Sequence, residues 1–313
     1  MCVWATRVAI AIAAATATAT ADPDADLLAD QATRLEQTAE HAKTNRDAPA
    51  ALGQAIELRA ALGDDAKQLA DVEHALIWFP RAPDTAAALW EATPIYERGN
   101  VAALVAHLRR YLARFAATDD PGRVAQAHVR LALALVEQSC SVPLVEGLCV
   151  ARAAPPPAGT TCGSTAVRFT AARGNATLAA QARDQAQAAI ATAAKVRGDA
   201  LRDAALRART IAIDRDFEAT FAVPPPNAQD NKALERWVAE RIKRASTVGD
   251  AYSAAFATDH APLLAPLYRR GQVWEQFAAD LAALPLPDSI RSQGPDVVSA
   301  YCSVFDEQSD SVI

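Results

Sequence analysis

Apolar residues recur at three- and four-residue steps along most of the chain, which is the spacing of amphipathic helices. In the segment 122–138, one helical face carries four apolar residues: Val124, Ala127, Leu131 and Leu135. The same spacing predicts further helices over residues 26–42, 48–62, 64–79, 84–98, 101–115, 176–197, 199–221, 230–257, 261–284 and 288 to the end. The pattern therefore predicts an all-α fold.

Proline, glycine and capping residues mark the ends of these segments. Pro80 and Pro83 oppose helix continuation, and Gly99-Asn100 favours a tight reversal. The segment Asp119-Asp120-Pro121 supplies a capping side chain before a first-turn proline. Helices joined by such short turns are expected to pair as antiparallel hairpins.

A weak internal repeat relates two of the predicted helices. Residues 72–79 align with residues 108–115 at an offset of 36, with Leu76 over Leu112 and a Phe at the end of each segment. Paired helices that repeat every 34 or so residues are typical of tetratricopeptide units, which bury their apolar faces by stacking. We therefore expect a tetratricopeptide-like α-solenoid of stacked hairpins, with an irregular Ala-rich bundle as the alternative.

Residues 139–173 interrupt the helical pattern. This segment holds three cysteines, the run Pro155-Pro156-Pro157 and three glycines, and it is predicted to be an extended, irregular insert. The insert is expected to separate the repeats of residues 22–138 from a second helical segment, residues 174–313.

Composition supports helices and argues against nucleic-acid binding. Alanine supplies 77 of the 313 residues, whereas aromatic residues reach only 6%. This bias favours close-packed helices, since strands are enriched in β-branched and aromatic residues. The net charge is -6, so the chain lacks the basic excess of nucleic-acid-binding proteins. The basic pairs Arg109-Arg110 and Arg269-Arg270 are interpreted as solvated helix faces.

The N-terminus has the layout of a secretory signal. Arg7 precedes the apolar run Val8 to Ala15, and Ala19-Thr20-Ala21 offers small residues for cleavage after Ala21. The apolar run is too short to span a bilayer. We expect a secreted protein, periplasmic or associated with the outer envelope. A retained N-terminal anchor is the alternative.

Export changes the interpretation of the cysteines. Cys140, Cys149, Cys162 and Cys302 remain after cleavage, and an even number of cysteines in an oxidising compartment predicts at least one disulfide. Cys140 to Cys149 is the favoured pairing because it closes a short loop, although Cys162 could replace either partner. The spacings lack the CxxC pattern of zinc modules, so the alternative is unpaired buried thiols rather than a metal site.

The sequence carries no common catalytic signature. It has no phosphate loop, dinucleotide fingerprint, G-x-S-x-G elbow or H-E-x-x-H helix, and its five histidines stand singly. We expect no catalytic residue, no cofactor and no metal. The alternatives are a peptidoglycan-acting enzyme of the helical-superhelix type and a helical protein that binds lipid or a small molecule. The first is disfavoured because the chain lacks the Glu-Ser dipeptide of lytic transglycosylases.

Several short strings resemble tetratricopeptide-repeat proteins of myxobacterial and related deltaproteobacterial envelopes. The strings are Leu89-Trp90-Glu91, Ile95-Tyr96-Glu97, Tyr111-Leu112, Gln138-Ser139-Cys140, Gly147-Leu148-Cys149, Cys162-Gly163, Tyr268 to Phe277 and Ala300-Tyr301-Cys302. The named proteins of this kind are associated with gliding motility. The resemblance implies a non-catalytic scaffold of the cell envelope that acts through protein partners. It also implies helix beyond Ile313, so the terminal repeat is expected to be truncated.

A solenoid presents a concave surface formed by the first helix of each pair, and a partner would meet the polar residues there. The residues predicted to bind a partner are Glu91, Arg98, Arg123, Gln126 and Arg130. The expected partner is another envelope protein or a peptide segment of one. Membrane association is expected only through partners or an uncleaved signal.

Overall fold

A computed structural model describes residues 23–157, 159–162, 168–172, 174–195, 198–220, 231–259 and 265–310. Helices dominate these residues, which confirms the all-α prediction at the level of fold class. The predicted signal, residues 1–21, lies outside the described residues, as do residues 311–313. The chain divides into two compact units, residues 1–88 and 89–313, and each is described by itself.

The first unit is built from consecutive antiparallel helices. These are α1 (Pro23–His41), α2 (Ala48–Ala61) and α3 (Asp65–Trp78), followed by α4, which begins at Pro83 and continues to Glu91. α1 packs against α2, and α2 packs against α3. Asp64 caps α3 by accepting a hydrogen bond from the backbone N–H of Lys67. The core side chains of this unit include Leu52, Ile56, Val72 and Leu76.

A buried arginine organises the polar groups of the first unit. The Arg59 side chain is 2% exposed and pairs with Glu36 on α1 at 2.7 Å. It also donates to the Thr33 hydroxyl at 3.0 Å and lies 4.0 Å from Asp64. Burial, followed by the neighbouring Glu36 carboxylate, raises the pKa of Asp71 to about 7. Thus α1, α2 and α3 share one ionic cluster as well as an apolar core.

The second unit contains the remaining helices and a short two-stranded sheet. Its elements are α5 (Thr93–Glu97), α6 (Val101–Phe115), α7 (Pro121–Ser139), β1 (Val150–Arg152), β2 (Phe169–Ala171), α8 (Ala176–Ala193), α9 (Asp199–Thr220), α10 (Asn231–Asp259), α11 (Ala265–Ala282), α12 (Asp288–Arg291) and α13 (Pro295–Asp310). Strand β1 pairs antiparallel with β2, with Ala151 opposite Thr170. Each helix from α6 to α10 packs against the next helix along the chain, and α7 also packs against α9.

The helix boundaries follow the local signals with two exceptions. Asp120 accepts from the N–H of Arg123 at the start of α7, as predicted, and Asn100, which was expected only to favour a reversal, caps α6 by accepting from the N–H of Ala102. The single helix expected over residues 84–98 is wrong, because Pro94 lies in the first turn of a separate helix, α5. The helix expected from residue 288 to the end is also divided, since Gly294 adopts a φ of 98° between α12 and α13.

The insert contains the paired strands β1 and β2, and it does not separate the helices on either side of it. Helix α7 packs directly against α8 across the insert, and this is the most extensive helix pairing in the described residues. Two insert residues, Leu148 and Val150, are buried with Phe217 of α9 and Tyr252 of α10. The insert is therefore part of the core of the second unit, and the expected separation is wrong.

Two disulfides are present within the described residues. The Cys140–Cys149 bridge confirms the favoured pairing and closes the loop after α7. The second bridge joins Cys162 to Cys302 on α13, a pairing that the sequence analysis did not single out. Disulfides of this kind form and persist in oxidising compartments. No helix among the described residues is both long enough and apolar enough to cross a membrane.

Candidate functional site

Arg123, one of the predicted partner-binding residues, is held in a contact within the protein. Its guanidinium donates to both carboxylate oxygens of Asp119, and the buried Tyr111 hydroxyl donates to the same carboxylate. Although burial acts to raise it, hydrogen bonds from Arg123 and Tyr111 hold the pKa of Asp119 below its usual value. Arg123 therefore ties the start of α7 to α6, and partner binding at this residue would have to compete with that contact.

Glu91 and Arg98 lie near the ends of short helices. Glu91 is the last residue of α4, Arg98 follows α5, and both side chains are exposed. Neither residue lines the cleft that contains the other predicted residues.

Arg130 is oriented by two neighbours in the second unit. Its guanidinium carbon lies 4.6 Å from the centre of the Trp90 ring, and Nη1 lies 3.1 Å from a carboxylate oxygen of Glu97. The aromatic face and the carboxylate together restrict the rotamers of a side chain that remains about one-third exposed. A cation held in this way loses less conformational entropy when it binds a ligand.

Arg130 and Gln126 line a cleft of about 240 Å³ between α7 and α9, called here the α7–α9 cleft. Helix α7 contributes Gln126, Val129, Arg130 and Leu133, and α9 contributes Asp203, Ala204 and Arg207. The α7 residues stand at positions i, i+3, i+4 and i+7, so they form one continuous stripe along the helix. The sequence-predicted pair Gln126 and Arg130 is thus joined by Arg207, which the sequence analysis did not identify.

The α7–α9 cleft combines an apolar patch with two guanidinium groups. Leu133 is 45% exposed, which leaves a large apolar side chain open to a ligand. Arg207 pairs through Nε with Asp203 at 2.9 Å, and its two terminal nitrogens lie outside that pair. Each of the two guanidinium groups has one carboxylate partner, Glu97 for Arg130 and Asp203 for Arg207, and each has further N–H groups that could donate to a ligand. Such a surface suits a carboxylate next to an aliphatic side chain.

A second charged cluster holds the disulfide loop, and we call it the loop clasp: Arg215, Glu218 and Arg269 around residues 146–149. Arg215 donates to the carbonyl of Gly147 at 3.2 Å, and Arg269 donates to the carbonyl of Glu146. The N–H of Cys149 donates to Glu218, which also pairs with Arg215 at 2.8 Å. The clasp therefore satisfies loop backbone groups that an apolar surface would leave without partners.

The loop clasp continues inward to a buried tyrosine. Arg269 lies 3.3 Å from Asp214, and Asp214 accepts a hydrogen bond from the hydroxyl of Tyr252, which is 0% exposed. Burial raises the pKa of Asp214 and the pKa of Glu218, despite the neighbouring arginines. Arg269 is 7% exposed, so its interpretation as part of a solvated face is wrong. Local sequence does not predict this burial, because Arg269 meets Asp214 of α9 and the Glu146 carbonyl of the insert, both distant in sequence, in addition to Gln272 on its own helix.

Metal ligands are not assembled in the described part of the chain: no three His, Cys, Asp or Glu side chains there are placed to hold a metal ion. Comparisons with family models, curated proteins and solved structures find no match to this chain.

Proposed function

We propose that this protein is a non-catalytic, helical-repeat scaffold of the cell envelope that binds an acidic segment of another envelope protein. The observation that carries the proposal is the placement of Arg130 and Arg207 beside the exposed Leu133 in the α7–α9 cleft. Export is supported by the predicted signal and by the two disulfides. The proposal has two further parts. The internal repeat supports stacking of the hairpins as a tetratricopeptide-like solenoid, and the resemblance supports a place in a motility complex.

The guanidinium donors of the cleft favour an acidic peptide over a neutral one. A carboxylate can accept hydrogen bonds from a guanidinium, and such charge-assisted bonds are stronger than neutral ones. An aliphatic side chain next to that carboxylate would remove the exposed Leu133 from water. The expected ligand segment therefore has an Asp, a Glu or a terminal carboxylate beside a Leu, Ile or Val.

Site-specific photocrosslinking tests the proposal in the full-length protein. A benzophenone amino acid is placed at Leu133 in the cleft and, as a matched control, at Leu267 on α11, which is 40% exposed but lies outside the cleft. The crosslinked species are recovered from envelopes and identified by mass spectrometry. We expect a defined protein adduct at Leu133, and the crosslinked peptide of that partner should be acidic.

A charge-removal variant shows whether the adduct depends on the cleft. The Arg130→Met and Arg207→Met double variant should lose the Leu133 adduct, whereas Arg202→Met, an exposed change on α9, should retain it. The proposal is overturned if both probe positions give the same adducts, or if the double variant crosslinks as the parent does. Turnover of peptidoglycan by the purified protein would instead support the enzyme alternative.

A further inference from the structure

A second cavity, between α9 and α10, has a different lining from the α7–α9 cleft. It has a volume of about 260 Å³ and is called here the α9–α10 cavity. Its aliphatic lining comes from both helices: Ile213 and Ala219 on α9, and Val248 and Ala251 on α10. Val248 is also part of the core of the second unit, so the cavity reaches from the surface to buried side chains.

The hydroxyl groups of the α9–α10 cavity already have partners. Thr220 donates to the carbonyl of Phe217 at 2.7 Å, and Thr247 donates to the carbonyl of Lys243 at 2.8 Å. Neither hydroxyl has to donate to a ligand, so an apolar chain could enter without leaving these donors unpaired. The interior of the cavity therefore favours hydrocarbon over a polar molecule.

One cation at the rim of the cavity lacks an ion pair among the described residues. Arg244 pairs with Glu240 at 2.8 Å, and Asp216 pairs with Arg183 at 3.0 Å. Lys243 lines the same cavity and is exposed. No carboxylate of the described chain lies within ion-pair distance of it, although after the hydrogen bond from Arg244 its charge also helps to lower the pKa of Glu240. The charged rim thus has one ammonium group whose charge a ligand could neutralise.

We propose that the α9–α10 cavity binds a medium-chain aliphatic carboxylate. The hydrocarbon chain would lie against Ile213, Val248 and Ala251, and the carboxylate would pair with the Lys243 ammonium. The volume lies just below the range of about 300 to 1,000 Å³ that is common for drug-sized ligands, which favours a short chain over a long-chain lipid. This site is separate from the peptide-binding cleft, and it adds a small-molecule ligand to the proposed scaffold.

Isothermal titration with sodium octanoate tests this proposal on the full chain, with 1-octanol as the uncharged probe. A ligand of this size is expected to bind with a Kd on the order of 100 µM. Lys243→Met should weaken octanoate binding about tenfold and leave octanol binding nearly unchanged, because only the ion pair is lost. Ala251→Leu should abolish binding of both probes by filling the cavity.

Two matched controls lie on the same helix outside the cavity. Lys232→Met and Ala239→Leu change exposed residues of α10 and should bind both probes as the parent does. Circular dichroism and thermal unfolding of all four variants show that each one is folded before titration. The proposal is overturned if octanoate fails to saturate the parent at millimolar concentration. It is also overturned if Lys243→Met and Lys232→Met bind octanoate equally well.

Discussion

The loop clasp and the α7–α9 cleft both depend on arginine, but in opposite surroundings. Arg215 and Arg269 of the clasp are 6% and 7% exposed, and they donate to loop carbonyls as well as to carboxylates. Arg207 of the cleft is exposed, and its one ion pair is with the neighbouring Asp203. Arginine therefore completes a buried network in the clasp and lines an open surface in the cleft.

The difference between the two regions is one of solvation. A buried charge is costly unless its partners replace the lost water, and removing one partner leaves the other charge uncompensated. An exposed ion pair contributes little, because water and salt already screen both groups. The charged groups of the clasp therefore stabilise the fold. Those of the cleft could exchange their present partners for a ligand with little loss of folding stability.

The largest expected effect separates these two kinds of arginine directly. Arg269→Met leaves Asp214 buried without its cation and removes a donor from the carbonyl of Glu146. We expect the free energy of unfolding to fall by about 3 to 5 kcal/mol. Arg207→Met in the cleft should change it by less than about 0.5 kcal/mol. Denaturant unfolding at neutral pH measures both values.

A small effect of Arg269→Met, similar to that of Arg207→Met, would mean that the clasp does not contribute to stability. Tyr252→Phe provides a check on the interior of the same network, since it removes only the hydroxyl that donates to Asp214. Its cost should be intermediate, about 1 kcal/mol, because one hydrogen bond is lost and the ring still fills its site.

Helices and their ends could be predicted from local sequence, because the signals act within a few residues. Asp120 before Pro121 starts α7, and Asn100 starts α6, as their side chains predict. Pro94 ends one helical segment in the same local way, but it also suits the first turn of a new helix, which the periodicity alone did not reveal. The role of the insert was missed because its Leu148 and Val150 are buried against distant helices.

Only the α7 side of the candidate site could be predicted from the sequence. Gln126 and Arg130 share one face of α7 by spacing alone, so their proximity follows from the helix period. Arg207 enters the same cleft only because α9 packs against α7, and no local pattern specifies that contact. Arg123 and Arg130 looked equivalent in the sequence. The structure distinguishes them through Asp119, which holds Arg123, and through Trp90 and Glu97, which orient Arg130 towards the cleft.

Two leucines of α7 extend the comparison to apolar side chains. Leu131 is 1% exposed, whereas Leu133 is 45% exposed in the α7–α9 cleft. Leu131→Ala should lower the free energy of unfolding by about 3 kcal/mol through lost burial and the cavity left behind, and Leu133→Ala should lower it by less than about 1 kcal/mol.

Hydrogen exchange on Leu131→Ala should show faster opening of α7 and of its neighbours α6, α8 and α9, with α11 less affected. Equal acceleration throughout the second unit would favour one cooperative core over the proposed stacked repeats.

A smaller effect than that of Leu131→Ala is expected at Asp119, whose buried carboxylate pairs with the partly exposed Arg123. Its pKa is lowered in the folded protein, so its ionised form stabilises the fold above the unfolded value of about 3.9, and this contribution is lost as the pH falls through the folded pKa. Asp119→Asn should therefore reduce stability by about 1 to 2 kcal/mol at pH 7, and the difference from the parent should shrink as the pH falls below about 3.9. Asp203→Asn, which changes the exposed carboxylate of the cleft, should alter stability by less than about 0.5 kcal/mol across the same range. Urea unfolding at a series of pH values distinguishes the two variants. If the free energy of unfolding depends on pH in the same way for both, the contact of Tyr111, Asp119 and Arg123 contributes no more to stability than the ion pair of the cleft.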